Sequence, residues 1–337
     1  MAANPTVVFV APRRVEVQDR PVPKPRAGEV LVRTHCTLIS TGTELSCLLG
    51  DVPRGQVWEN YGSYPSVPGY SNVGTVTELG EGVPEDWLGR RVASWGSHAA
   101  FVTRPLSNCW PLGDGVADED AAFSTLALVA LNGVRRSQLI FGEAAAVYGL
   151  GIVGQLTARI CRFAGARPVI GIDLSEHRLG FLPEQLGFVR LCADRDVRAG
   201  VSEATAGRMA DVVFEVTGSP DVIPQEFAVL HPQGRCVILS SPLSATKSFD
   251  FHDLCNGPSF TIIGAHNFSH PEHATRDNPW TMRRHTEFFF DLLAAGEMEV
   301  AGLVTRREPV GKAPEVYASL VEGRGREMGV VLTFPAG

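Results

Sequence analysis

Residues 146–165, AVYGLGIVGQLTARICRFAG, decide the fold. A short apolar strand runs into Gly149-x-Gly151-x-x-Gly154, and an amphipathic helical pattern follows at once. Such a glycine triplet is weak evidence alone; the strand before it and the helix after it make it a dinucleotide-binding turn. Gly149 permits the tight turn, Gly151 lets the backbone approach a pyrophosphate, and Gly154 lets helix and strand pack closely. The pyrophosphate then faces backbone N–H groups at a helix N-terminus. Asp173 ends the next apolar run, VIGID, 19 positions after Gly154. A carboxylate there accepts hydrogen bonds from both adenosine ribose hydroxyls and repels a 2′-phosphate, which predicts NAD over NADP. Arg178 lies about a helical turn further on, placed to run along an adenine.

Outward from this stretch, apolar strands alternate with helical patterns: SEHRLGFLPEQLG, ADVVFEVTG, IPQEFAVLHPQG, RCVILSSP and FTIIGAHN. Strands covered on both faces in a βαβαβ rhythm predict an α/β fold with a doubly wound parallel (Rossmann) sheet. Residues 118–134, DEDAAFSTLALVALNGV, read as one helix with acidic residues in its first turn. Before it the texture is short β-rich runs, TVVFV, EVLVRTHCTLI, NVGTVTEL and RRVASW, separated by Gly and Pro, as in a small barrel or sandwich. Past Glu297 the chain returns to strand-like pieces, VAGLVTRREPV and MGVVLTF, around the helix APEVYASLVEG. The expected domains are 1–118, 119–298 and a return over 299–337 that completes the first.

The 337 residues, 44% hydrophobic and 20% charged, suit a folded chain of about two domains. A net charge of -7 argues against a nucleic-acid partner. No apolar run is long enough for a membrane span and the start lacks a secretory pattern, so a cytoplasmic protein is expected. The seven cysteines are scattered with no C-x-x-C pair, against a disulfide framework or a thiolate zinc knuckle.

The pieces GEVLVRTHCTLISTGTE, VPGYSNVGTVTELG, GRRVASW, YGLGIVGQ, GIDLSEHRL and FEVTGSPD stand in the order found in the medium-chain dehydrogenase/reductase superfamily. The chain resembles that family over essentially its whole length. The resemblance implies a GroES-like β-barrel catalytic domain, an active site in the cleft between domains, and a homodimer or homotetramer. Most alcohol and polyol dehydrogenases of the family hold a catalytic zinc, but this chain departs at each ligand position. Its C-G-[ST]-[DE] stretch reads Thr41-Gly42-Thr43-Glu44, its P-G-H-E stretch Pro68-Gly69-Tyr70-Ser71, and the third ligand position falls on Thr125. Zinc takes thiolate, imidazole or carboxylate ligands, so no metal is expected. The motifs are most similar to the zinc-free branch of bacteriochlorophyllide-type and sugar- or cyclitol-linked oxidoreductases.

By the same resemblance Thr43 relays the substrate proton, and Glu44 is either freed for acid–base work or held in an ion pair. Tyr70 either hydrogen-bonds the reacting oxygen or merely fills space. His266 and Asn267 fall near the nicotinamide, with His270 as a further substrate contact; surface loop histidines are the plain alternative, and Pro271 weighs against a metal site at 266–273. His98 reads as a strand histidine satisfied by a neighbour. Thr41 is a further substrate contact. Ile152, Val153, Leu174, Thr217, Ser240, Ser241 and His266 complete the implied cofactor contacts. A polar inventory including Ser40, Thr41, Thr43, Glu44, Tyr70 and Asn72 suits a polyhydroxylated substrate. The leading expectation is a zinc-independent, NAD-dependent dehydrogenase acting on a secondary hydroxyl of a sugar, cyclitol or related polyol. The alternatives are an NAD(P)H-dependent quinone or enoyl reductase, an epimerase or lyase with transient oxidation, and a catalytically inactive NAD-binding regulator.

Overall fold

The computed structural model describes residues 3–52, 63–242, 244–323 and 325–335. The chain divides into two compact units, Met1–Thr125 with Thr286–Gly337, and Leu126–His285.

Strand β3 (Glu29–Leu38) is the axis of the first unit. One of its edges pairs antiparallel with β4 (Asn72–Leu79). The other pairs with β6 (Phe101–Pro105) over Glu29–Arg33 and with β15 (Gly329–Thr333) over Cys36–Leu38. Beyond β4 lie β5 (Arg91–Ser94) and β7 (Cys109–Pro111), and β14 (Val304–Pro309) runs parallel to β15. The C-terminal strands thus join a sheet begun at Glu29. A hairpin of β1 (Asn4–Ala11) and β2 (Arg14–Arg20) adds Val7 and Phe9 to a core shared with α1 (Thr43–Leu49), α9 (Ala313–Glu322) and β15. Helix α1 stops at Gly50, whose left-handed φ of 75° turns its N–H back onto Cys47 and Ser46 carbonyls.

The second unit is a six-stranded parallel sheet. Its elements are β8 (Ala145–Tyr148), α4 (Ile152–Phe163), β9 (Val169–Asp173), α5 (Glu176–Leu179), β10 (Val189–Cys192), α6 (Val197–Ala204), β11 (Ala210–Glu215), α7 (Ile223–Phe227), β12 (Leu230–Ile238) and β13 (Thr261–Gly264). The strand order β10-β9-β8-β11-β12-β13 reverses direction between β8 and β11, and every strand ends on the same sheet edge. Doubly wound sheets bind ligands at such a reversal.

The structure differs from expectation in several elements. Residues 118–134 form two helices, α2 (Asp118–Ala121) and α3 (Ser124–Arg136), because Asp118 is held by His35 and Arg91, and Glu119 by Arg307. Those ion pairs fasten α2 to the first unit. Along the chain the units divide at 125/126 and 285/286, and α3 and α8 (Met282–Ala294) each run across a division. The SEHRLGFLPEQLG stretch is helical only over four residues before Pro183, and β2 and α8 were not expected at all.

Glu226 on α7 is fully buried, and neither of its carboxyl oxygens has a hydrogen-bond partner among the described residues. Burial first, and the charge of Glu215 second, push its pKa up to about 9. The folded state therefore binds a proton that the unfolded chain releases near pH 4.5, so stability falls as pH rises between those values. Glu226→Gln should flatten that slope, which approaches about 1.4 kcal/mol per pH unit at its steepest. Urea melts of both proteins from pH 6 to 9 check this; parallel curves would mean that Glu226 is ionised in the fold.

Candidate functional site

In the second unit the sheet edge gathers most of the expected cofactor residues. Gly149 follows β8 with φ +89°, and a Cβ there would lie 2.9 Å from the Val216 and Thr217 backbone that follows β11. A Cβ on Gly154 would lie 1.8 Å from the Gly149 carbonyl oxygen, so helix α4 can seat on the loop only with glycine there. Around Gly151 the space is open: nothing lies within 4 Å of a Cβ built on it. This is a cradle beside the first turn of a helix of 12 residues, whose leading N–H groups have no intrahelical acceptors.

Asp173 closes the top of β9. It accepts from Leu150 N at 2.7 Å and Ser175 N at 2.8 Å, and Arg178 Nη1 stands 3.9 Å away. Ile152 is buried, Val153, Ser240 and Ser241 are half-buried, and Leu174 and Thr217 are exposed. Glu215, not singled out from the sequence, organises the neighbouring loop. Its Oε1 takes Thr217 N, Thr217 Oγ1 and Gly218 N, and its Oε2 takes the Ser240 hydroxyl. Gln155 and Arg159 on α4 hold the Arg178 and Phe181 carbonyls, fixing the segment after Asp173. Past β13, Asn132 of α3 donates to the His266 carbonyl at 3.1 Å and Ser269 Oγ at 2.8 Å. Asn267 Oδ1 is a buried acceptor with no donor among the described residues. The open cradle at Gly151 and this orphan acceptor, which an amide N–H would satisfy, fit a nicotinamide dinucleotide.

The loop histidines separate in role. His266 is exposed, its Nδ1 accepts from Phe268 N, and partial desolvation lowers its pKa. His270, expected as a substrate contact, is buried with both ring nitrogens engaged, by the Asn267 carbonyl and by His285 Nδ1. Its ring is spent inside the unit. His273 is exposed.

In the first unit, α1 places Glu44 in its first turn, 3% exposed. Glu44 Oε1 accepts Ser40 N at 2.8 Å, and Oε2 meets His98 Nε2 at 2.9 Å and the Tyr317 hydroxyl. His98 has no exposure, and its Nδ1 is 2.7 Å from Thr37 Oγ1. Glu44 is therefore not a freed carboxylate, because both of its oxygens are engaged. Beside it the Tyr70 hydroxyl donates to Ser40 Oγ at 2.5 Å and shares a hydrogen bond with Thr43. Burial, then the Glu44 charge, raise the Tyr70 pKa, so the phenol keeps its proton at neutral pH. Thr125 Oγ1 donates to the Tyr70 carbonyl at 2.9 Å, Ser71 is buried, and Thr41 is half-buried. The donors at the family's zinc-ligand positions are thus hydroxyls, and the adjacent imidazole of His98 is already used. Among the described residues no group of three or more His, Cys, Asp and Glu could hold a metal ion. This donor set does not fit zinc.

Tyr317 and His98 were missed as Glu44 partners because they lie far from it in the chain. Removing the carboxylate strands three donors, so Glu44→Ala should cost on the order of 3 kcal/mol, and Glu44→Gln less. Denaturant melts decide it; a loss near zero would mean that Glu44 anchors nothing.

The family model described as zinc-binding dehydrogenase matches residues 153–279. The D-guloside 3-dehydrogenase of Escherichia coli (strain K12) is 25% identical over 341 residues, covering 94% of this chain and 95% of that protein. An alcohol dehydrogenase from Thermus sp. ATN1 has the same fold, with a TM-score of 0.82 at 23% identity over 98% of this chain and 100% of that one. The (R,R)-butanediol dehydrogenase of Bacillus subtilis (strain 168) is 30% identical over 262 residues, covering 67% of this chain and 74% of that protein. The family works with a pyridine nucleotide, and its fold pairs a Rossmann-like unit with a GroES-like catalytic one. With that identity and coverage, this chain belongs to the medium-chain, zinc-type alcohol dehydrogenase superfamily, as an oxidoreductase acting on CH–OH groups.

Proposed function

We propose that the protein is a zinc-independent, NAD-dependent dehydrogenase that oxidises a secondary hydroxyl of a sugar, cyclitol or related polyol. The observation that carries this reading is the hydroxyl cluster of Tyr70, Ser40 and Thr43 at the place where zinc enzymes of the family hold their metal. A substrate with several hydroxyls satisfies such a cluster better than an apolar alkene or quinone. The guloside dehydrogenase, alike along nearly the whole chain, acts by its name on a sugar derivative.

Bound NAD supplies the acceptor for the hydride that leaves the carbinol carbon. The hydroxyl proton needs a separate route, and without a Lewis acid that route carries more of the barrier. Thr43 takes the proton from the substrate oxygen and passes its own to the Tyr70 oxygen. The phenol proton moves to Ser40, which releases one to water. Glu44 is a positioning residue: through Ser40 N it fixes the loop that receives the phenol. His266 and Asn267 are proposed as contacts for the carboxamide and the substrate, and Thr41 as a further substrate contact. His270 is left out, since its ring is engaged.

Chelator-treated protein should still reduce NAD with members of a polyol panel. Thr43→Ala should lower turnover by roughly 10²–10⁴ with little change in NAD affinity, and Thr43→Ser should recover much of it. Tyr70→Phe should fall by a similar factor. Activity that follows bound zinc, or near-normal turnover by Thr43→Ala, overturns the relay.

The cofactor preference rests on Asp173. Loss of the ribose hydrogen bonds and repulsion of a 2′-phosphate should weaken NADPH relative to NADH by on the order of 2–4 kcal/mol. Fluorescence titration of the two reduced cofactors measures this. NADPH binding as tight as NADH makes Arg178 a phosphate partner instead.

A further inference from the structure

Trp280, in the second unit, carries two guanidinium groups. The Arg135 Cζ lies 3.3 Å from its ring centroid and the Arg284 Cζ 3.9 Å. His285 stacks on the same indole, with 5.1 Å between centroids and 23° between planes. Both arginines are exposed, and neither has a carboxylate partner among the described residues. Two cations sharing one aromatic ring repel each other; partial burial first, and the Arg284 charge second, bring the Arg135 pKa down to about 10.

Arg135 is nevertheless held in place. Its Nε donates to His285 Nε2 at 3.1 Å, His285 Nδ1 lies 2.8 Å from His270 Nε2, and His270 Nδ1 lies 2.6 Å from the Asn267 carbonyl oxygen. A guanidinium only donates and a carbonyl only accepts, so each imidazole must carry its single proton on Nδ1. Burial, with His270 and the two arginines, holds His285 down to about 3 and keeps it neutral. The chain of bonds fixes the guanidinium through Nε and leaves its two Nη groups with no protein acceptor among the described residues. Such a fork, paired with a second guanidinium on the same ring, matches the oxygens of a phosphoryl group.

We propose that Arg135 and Arg284 form a binding site for a phosphate group, separate from the glycine-loop cradle and independent of the dehydrogenase reading. The two guanidinium groups take opposite faces of the indole, which orients both forks, and an oxyanion at the ring's edge that accepts from both relieves their repulsion. The phosphate could be free or carried by a small metabolite, and the two sources share this chemistry.

Calorimetric titration of the full chain at constant ionic strength tests it, with inorganic phosphate in one arm and glycerol phosphate in the other. Saturable binding is expected in at least one arm, and the tighter arm identifies the source. Arg135→Gln and Arg284→Gln should each weaken it about tenfold or more, with Arg135→Lys in between. Thermal melts in chloride should show the arginine variants folded, since both side chains face solvent. Equal phosphate affinity in wild type and both variants would place the anion at the glycine loop and overturn the proposal. So would the absence of saturable binding, or an assembly that only Arg284→Gln breaks while phosphate has no effect.

Discussion

A carboxylate withdrawn from water has to be given its protons by neighbours, and the first unit is arranged around one such group. Glu44 draws Ser40, His98 and Tyr317 to itself, which ties α1 to the segment before β6 and to α9 near the C-terminal end. Tyr317 also meets Phe9 of β1 edge-on, with 5.1 Å between centroids at 88°. Chain segments nearly three hundred residues apart are joined through this single ionic group. An exposed ion pair of the same atoms would contribute little; burial makes each bond costly to break.

The consequence for chemistry lies one residue away. Both oxygens of Glu44 are engaged, and burial first, with its charge second, raises the pKa of Tyr70 and Tyr317. Tyr70 therefore stays a donor and holds Ser40 and Thr43 in one hydrogen-bonded set. A metal site needs three protein ligands of the right softness. A hydroxyl set needs only aligned donors and acceptors, and alignment is what the buried carboxylate supplies.

Much of this was legible in the sequence. The glycine triplet, the Asp173 strand end and the β-rich opening announced the parallel sheet and the antiparallel unit, because period and turn chemistry are local signals. Thr43, Glu44 and Tyr70 could be brought together on paper only through resemblance. The role of Glu44 was not legible, since its partners are set by tertiary packing. His270 looked like a site residue among loop histidines, yet it folds inward to meet His285 of α8. That helix itself went unread: its three consecutive phenylalanines, Phe288, Phe289 and Phe290, blur the period of 3.6.

The second unit shows the same constraint from both sides. Glu215 gathers three donors on one oxygen and the Ser240 hydroxyl on the other, and thereby shapes the loop against which Gly149 packs. Glu226 feels that charge, fully buried beside the same sheet with no donor among the described residues. Two carboxyls so close cannot both ionise cheaply in an apolar surrounding. Burial first, and the Glu215 charge second, leave Glu226 with its proton at neutral pH. At this sheet edge the carboxylates of Glu215 and Asp173 are each met by N–H donors of the surrounding loops. The N–H groups at the head of α4 then remain for an incoming anion.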